Sequence, residues 1–388
     1  MNFEFATATR IIFGPGRVAD AVEAAASIGD RALIVVGKTP ARLDPFLEAL
    51  SEKKIEYTKF SIKNEPTIPD VAKGVGVAKD AQSEFVIGYG GGSILDGAKA
   101  ISALMTNPGS PLDYLEVVGS GNPLKSPCAP CICIPTTAGT GCEVTRNSVL
   151  ISPEHRVKVS LRSPLMLPLL AVIDPELTHT LPSSITASTG MDALTQLLEP
   201  FVCKLANPLT DSLCRDGIRR VASSLFPAFV DPNNAGAREN MALASLYGGL
   251  ALANSGLGAV HGLAAVVGGM LSIPHGIVCA RLLPPAMEAN LRALKRRSED
   301  SLPLARYDEI AYLLTGRRSA RAQDGITWIQ AMCRNLAIPD LSTYGMKDED
   351  IPIIATQAQK ASSMKGNPIT LSLDELTEIL AKAADSKI

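Results

Sequence analysis

Apolar residues in the first half of the chain fall into short unbroken runs separated by helically periodic stretches. Arg31–Gly37 reads as a buried strand, Leu43–Ser51 as a helix, Ile55–Ser61 as a strand and Val71–Ala81 as a helix. Glu84–Tyr89 is a further buried strand, and a helix follows from about Ile94. Cys131–Ile134 and Ala171–Asp174 add two more strands, the second being the last. Strands that alternate with helices predict a parallel, doubly wound, Rossmann-like α/β sheet. After Asp174 the period is helical almost throughout: Ser184–Cys203, Leu209–Phe226, Ala237–Ala253, Ala259–Met270, Tyr307–Leu314 and Leu373–Ala384. The change of character near Leu177–Pro182 divides the chain into an α/β domain over 1–178 and an all-α domain over 179–388. Arg292–Pro303 is charged and reads as an exposed loop or a frayed helix end. Trp328 reads as a helix-packing residue.

Composition narrows the function classes. The 388 residues suit two or three domains and are 46% hydrophobic and 20% charged, which excludes a disordered chain. Lys and Arg total 37 against 39 Asp and Glu, a net charge of −2, so there is no basic field for nucleic acid or an anionic membrane. Aromatics at 4% argue against stacking on single strands. No apolar run approaches the roughly 20 residues that span a bilayer. The start, Met-Asn-Phe-Glu-Phe, lacks the basic residues of a signal peptide. The eight cysteines follow no regular spacing, so free thiols in a cytoplasmic compartment are expected. Cys128-x-x-Cys131-x-Cys133 has the look of a metal knuckle, but Cys131 and Cys133 alternate within an apolar strand and read as core thiols.

Three segments carry candidate chemistry. In Gly88-Tyr-Gly-Gly-Gly-Ser93-Ile-Leu-Asp96 a strand runs through glycines into a helix. Gly90, Gly91 and Gly92 allow close backbone approach, and the helix start offers N–H groups and a positive dipole end to a pyrophosphate. Ser93 and Asp96 have capping-box spacing, so a capped tight turn is the other reading. The segment is not the G-x-G-x-x-G fingerprint, which disfavours an ordinary Rossmann dehydrogenase. Pro135–Thr145 places the hydroxyls of Thr136, Thr137, Thr140 and Thr145 around two glycines after a buried strand, as a phosphate- and ribose-binding loop or a polar turn. The third segment is the apolar helix holding Asp192 and, four residues on and on the same face, Gln196. A carboxylate there needs a partner. His261 and His275 also lie in apolar surroundings, and one divalent cation would satisfy all three, although a lone histidine of this kind can equally be a core residue.

Taken together these segments resemble the iron-containing (group III) alcohol dehydrogenase family along essentially the whole chain. The resemblance is carried by Phe13-Gly-Pro-Gly16, Gly90-Gly-Gly-Ser-x-x-Asp96-x-x-Lys99, the Pro135–Thr145 loop, Asp174-Pro-Glu-Leu, Thr189-Gly-Met-Asp-Ala-Leu, Gly258-x-x-His261 and Pro274-His-Gly276. It implies a dehydroquinate synthase-like architecture, with a dinucleotide domain, a helical domain and a catalytic Fe2+ or Zn2+ between them. It also implies hydride transfer between NAD(P)(H) and a small-molecule alcohol or aldehyde, and a homodimer or larger homo-oligomer. The family's ligands are an Asp, a His four residues later and two further His. Asp192, His261 and His275 match, and Gln196 stands in place of the fourth, as a weaker, neutral oxygen donor.

The resemblance also places Gly37, Lys38 and Lys158 at the cofactor, although a solvated surface charge is the other reading of each lysine. The first strand ends Val36-Gly-Lys-Thr39 with Arg42 nearby, and no acid there repels a 2′-phosphate, so NADP(H) is favoured over NAD(H). Asn147, Leu252 and Ala265 match pocket positions. The small Leu252 and Ala265 leave room for medium-chain or branched substrates, and with Ala at 265 no histidine there relays a proton. Arg146 reads as a structural salt-bridge residue, with contact to a carboxylate as the other reading. Rival readings are a metal-independent reductase of the maleylacetate reductase type, a hydroxyacid–oxoacid transhydrogenase, and a non-catalytic nucleotide-binding regulator.

Overall fold

The unbroken apolar runs form the middle of a six-stranded parallel sheet in a computed structural model that describes residues 2–38, 43–155, 157–271, 273–298 and 301–384. In chain order the first unit contains β1 (Arg10–Phe13), α1 (Val18–Ala26), β2 (Arg31–Val36), α2 (Leu43–Glu52), β3 (Glu56–Ser61), α3 (Ile68–Asp80), β4 (Phe85–Gly90), α4 (Gly92–Thr106), α5 (Pro111–Tyr114), β5 (Cys131–Pro135), β6 (Asn147–Ser152), β7 (Val157–Arg162) and β8 (Leu170–Ile173). The strand order is β1-β8-β5-β4-β2-β3, and β6 and β7 form a separate antiparallel pair. Every residue of β4 and β5 is buried, as covering helices on both faces require. Cys131 and Cys133 lie within β5, and all eight cysteines are free thiols.

The direction in which successive strands are added across the sheet reverses between β2 and β4: β2 connects outward to β3, whereas β4 connects the other way to β5. Open α/β sheets bind ligands at the carboxyl ends of the strands flanking such a point. Val36 pairs with Tyr89, and Gly90 with Pro135, so the ends of β2, β4 and β5 lie side by side. The start of α1 is tied to the end of β8 by Asp174, whose carboxylate accepts from Val18 N at 3.1 Å and Glu176 N at 3.0 Å.

The chain divides into Ala6–Thr137 with Gly141–Thr180, and Leu181–Ile388 with Met1–Phe5 and Ala138–Thr140. The second unit is helical: α6 (Ser183–Val202), α7 (Pro208–Val230), α8 (Ala235–Ser255), α9 (Ala259–Met270), α10 (His275–Arg297), α11 (Leu302–Thr315), α12 (Ala322–Asn335), α13 (Ile351–Ala358) and α14 (Leu373–Ala384). α6 is buried along nearly its whole length, with α7, α8 and α10 packed around it. Trp328 packs against this core from α12. No single described helix is long and apolar enough to cross a membrane.

Three expectations need correction. The 292–303 segment begins inside α10, which runs to Arg297 with Leu291, Ala293 and Leu294 buried; only its last turn, with Lys295, Arg296 and Arg297, is exposed. α4 starts at Gly92 with Gly91 as N-cap and no side-chain cap bond, which puts Ser93 inside the helix and leaves no Ser93/Asp96 capping box. Arg146 makes no salt bridge among the described residues; its carbonyl accepts from Ser163 N at 3.1 Å.

Candidate functional site

The sheet edge gathers most of the residues expected at a nucleotide. Gly37 and Lys38 follow β2, Gly90 to Ser93 join β4 to α4, and Thr136 and Thr137 follow β5. Thr136 N donates to Gly90 O at 3.0 Å. A Cβ on Gly91 would lie 3.2 Å from Thr137 Cγ2, and one on Gly90 would lie 2.6 Å from Ile94 Cγ1. Gly90 thus lets α4 pack onto its own strand, and Gly91 keeps the helix start clear beside the threonine loop. Gly91 caps without a side chain; in the first turn Ile94 N donates to Gly91 O at 2.9 Å, and the helix start with the dipole behind it suits an anion. Lys38 is exposed and donates to Asn64 Oδ1 at 3.3 Å. Thr39 and Arg42 lie outside the described residues.

Lys99 organises the loop from within. It is 1% exposed, donates to Cys142 O at 2.8 Å, to Thr145 Oγ1 at 2.9 Å and to Asn147 O, and pairs with Asp96 at 3.1 Å. Asp96 Oδ2 also accepts from Val149 N at 3.1 Å. Asp96 and Thr145 therefore spend their polar atoms on the loop's own scaffold. Lys158 is not a solvated surface charge: its ammonium is buried and paired with Glu65 at 2.7 Å. Glu143 in the same loop is 2% exposed, and burial pushes its carboxyl from 4.5 up to about 7, against the pull of its own backbone N–H and of Lys99.

In the helical unit, Thr140 belongs to the segment Ala138–Thr140, and Gly139 of that segment allows close approach to Thr189 on α6, where a Cβ would lie 2.7 Å from Thr189 Cβ. Leu252 on α8 and Ala265 on α9 are half-buried. Asp192, Gln196 and Glu199 follow one another at four- and three-residue steps on α6, and all three are buried. Gly276 lets α10 approach α6 so closely that a Cβ there would sit 2.1 Å from Ser188 O. This contact sets His275 beside Asp192, with Nε2 3.8 Å from Asp192 Oδ1.

α9 brings the second histidine. Its N-cap is Gly258, which supplies no side chain, and its first N–H groups are taken by two residues distant in sequence. Asn367 Oδ1 accepts from Ala259 N at 3.1 Å, and Glu199 Oε1 accepts from Val260 N at 2.7 Å. A Cβ on Gly258 would meet both acceptors, at 2.9 and 2.8 Å. The other oxygen of Glu199 lies 2.6 Å from His261 Nδ1. An ionised carboxylate only accepts, so Nδ1 carries a proton, which leaves Nε2 as the ring atom able to give its lone pair to a cation. That Nε2 is 3.5 Å from Asp192 Oδ1.

Asp192, His261, His275 and Cys279 place their ligand atoms within 4.8 Å of one another. The buried Asp192 Oδ1 and Gln196 Oε1 accept no hydrogen bond. At 3.5 and 3.8 Å the histidine nitrogens stand too far from Asp192 for good hydrogen bonds. Atoms sharing one tetrahedral zinc at about 2.0–2.2 Å stand about 3.3–3.6 Å apart, so the His261 distance falls in that range and the His275 distance just beyond it. The residues fit a divalent cation. Burial opposes ionisation of Asp192, but His275 and His261 outweigh it and hold the carboxyl below its ordinary value. Glu199 and Cys279 escaped the sequence reading. Both had a signal: Glu199 lies seven residues beyond Asp192, and Cys279 four beyond His275, each on the same helix face.

Comparison with known proteins agrees with this geometry. The profile of the iron-containing alcohol dehydrogenases matches residues 8–175, and that of the Fe-containing alcohol dehydrogenase family, C-terminal, matches 186–384. Alcohol dehydrogenase 4 of Saccharomyces cerevisiae is 36% identical over 82% of this chain and 80% of its own length. The crystal structure of a 1,3-propanediol oxidoreductase superposes with a TM-score of 0.91 at 32% identity, covering 99% of this chain and 100% of that one. Sulfoacetaldehyde reductase from Bifidobacterium kashiwanohense, in complex with NAD+, gives 0.87 at 27% identity with both chains fully covered. Profiles that together span both units, and relatives alike over nearly the full length, leave one assignment: this chain belongs to the iron-containing alcohol dehydrogenase family.

Proposed function

We propose that this chain is a metal-dependent alcohol dehydrogenase and aldehyde reductase that exchanges hydride between a nicotinamide dinucleotide and a small alcohol or aldehyde, and that it prefers NADP(H) to NAD(H). The observation that carries the reading is the buried Asp192 Oδ1, which accepts no hydrogen bond and faces the Nε2 atoms of two histidines. Asp192, His261 and His275 would hold one divalent cation, iron or zinc, which when bound supplies Lewis acidity toward the substrate oxygen. The chain's own residues set the conditions. Glu199 keeps the proton of His261 on Nδ1, so that Nε2 stays a donor of electrons. Gly276 fixes His275 against α6. The uncapped start of α4 orients the pyrophosphate. Position 265 is Ala, so proton exchange runs through water or the ribose hydroxyls.

The nucleotide preference rests on the exposed Lys38 after β2, with no acid between Gly37 and Arg42 to repel a 2′-phosphate. The small Leu252 and Ala265 favour medium-chain or branched substrates. Turnover of a series of primary alcohols and aldehydes with each nucleotide tests both points. The reading expects a preference for NADP(H) that falls by about tenfold in Lys38→Asp, the worth of one ion pair of about 1.4 kcal/mol. It expects Leu252→Phe to shorten the accepted chain length. A wild-type preference for NAD(H), or a length profile unchanged by Leu252→Phe, contradicts the corresponding point.

A further inference from the structure

We propose that Cys279 is a ligand of the metal, completing a mixed Asp–His–His–Cys set that favours zinc over iron. The proposal rests on the metal-centre reading above and goes beyond it in naming a sulfur donor. Cys279 lies on α10 one turn after His275, so its side chain shares the face that meets α6. Its Sγ is fully enclosed, 3.5 Å from His275 Nε2 and 4.0 Å from His261 Nε2. These are the same two nitrogens that face Asp192 Oδ1, at 3.8 and 3.5 Å. Four edges of one tetrahedron of donor atoms therefore measure 3.5 to 4.0 Å, and the remaining two lie within 4.8 Å.

Zinc ligation at about 2.3 Å to sulfur and about 2.0 Å to nitrogen places those atoms about 3.5 Å apart, the value found between Cys279 and His275. Gln196 is the alternative fourth donor, one turn after Asp192, but an amide oxygen is a neutral, hard ligand and a thiolate a charged, soft one. Ligand softness then sets the metal. Thiolate with imidazole suits zinc, whereas carboxylate and amide oxygens would leave the site open to harder cations. Binding displaces the thiol proton to solvent, so that the sulfur enters as thiolate.

The test uses cobalt(II) as the probe in the full-length protein. Wild type loaded with cobalt is expected to show visible d–d bands together with a near-ultraviolet thiolate-to-cobalt charge-transfer band. Cys279→Ser is expected to keep d–d bands, lose the charge-transfer band and hold zinc about tenfold or more weakly against a chelator. Because Cys279 is enclosed, Cys279→Ala serves as a second variant. X-ray absorption at the zinc edge of the wild type needs no variant at all, and one sulfur at about 2.3 Å is expected there. Cobalt d–d bands without charge transfer, or a zinc shell of nitrogen and oxygen only, overturn the assignment of Cys279 while leaving the metal centre standing. A charge-transfer band that survives in both variants overturns it in favour of another thiol. Failure to take up cobalt or zinc overturns this proposal and the metal-centre reading together.

Discussion

Replacing Glu199 by Gln changes one oxygen for one NH2 and nothing in shape, yet it attacks the metal centre through His261. Both Glu199 oxygens are in use, one on Val260 N at 2.7 Å and the other on His261 Nδ1 at 2.6 Å. A glutamine can accept only one of these protons. If its oxygen keeps Val260 N, its NH2 meets the Nδ1–H, and the ring must move its proton to Nε2, the atom that faces Asp192. If its oxygen keeps His261, its NH2 meets the backbone N–H at the start of α9. Either way one buried charge-assisted hydrogen bond is lost, worth about 1.5–3 kcal/mol. Outer partners of ligating histidines typically cost 10–100-fold in metal affinity, or about 1.4–2.8 kcal/mol. Chelator competition for zinc, with thermal unfolding of the metal-free forms alongside, should show affinity falling by about this factor in a folded protein. An affinity within about twofold of wild type would refute the role given to Glu199.

Gly276→Ala puts a Cβ 2.1 Å from Ser188 O, a backbone atom that cannot step aside. It should cost about 1–3 kcal/mol of stability and weaken zinc binding as His275 moves, and a wild-type melting temperature with unchanged affinity would count against the α6–α10 contact. Glu143→Gln should reveal a pH-dependent penalty. The folded carboxyl titrates at about 7 rather than 4.5, so its contribution is fully present below about pH 4.5 and lost as pH rises through about 7. The stability of Glu143→Gln relative to wild type should therefore grow by about 3 kcal/mol between pH 4 and pH 8 in denaturant titrations, and a pH-independent difference would contradict the burial argument.

The sheet was legible because β2, β4 and β5 are buried on both faces and written as unbroken apolar runs. β1 is four residues long and carries too little pattern to stand out. β6 and β7 were obscured because Asn147–Ser152 mixes polar and apolar positions directly after the threonine loop. α10 carries Pro284 and Pro285 in its interior, where a proline ordinarily disfavours helix, and its packing against α6, α12 and α14 holds it together. Asp192, His261 and His275 were legible as lone polar residues in apolar segments. For Lys158 the solvated-charge alternative stood beside the cofactor reading because its partner Glu65 is 93 residues away and sequence shows no such pairing. Glu199 and Cys279 needed the third dimension: each acquires its meaning only when α9 and α10 are packed against α6.

The metal content of protein purified without oxygen tests the central claim most directly. Elemental analysis is expected to find about one iron or zinc per chain, and almost none in Asp192→Ala, because three converging donors with an unsatisfied carboxylate oxygen hold a divalent cation. A wild-type chain that carries no metal and takes up neither iron nor zinc when offered them would contradict the account.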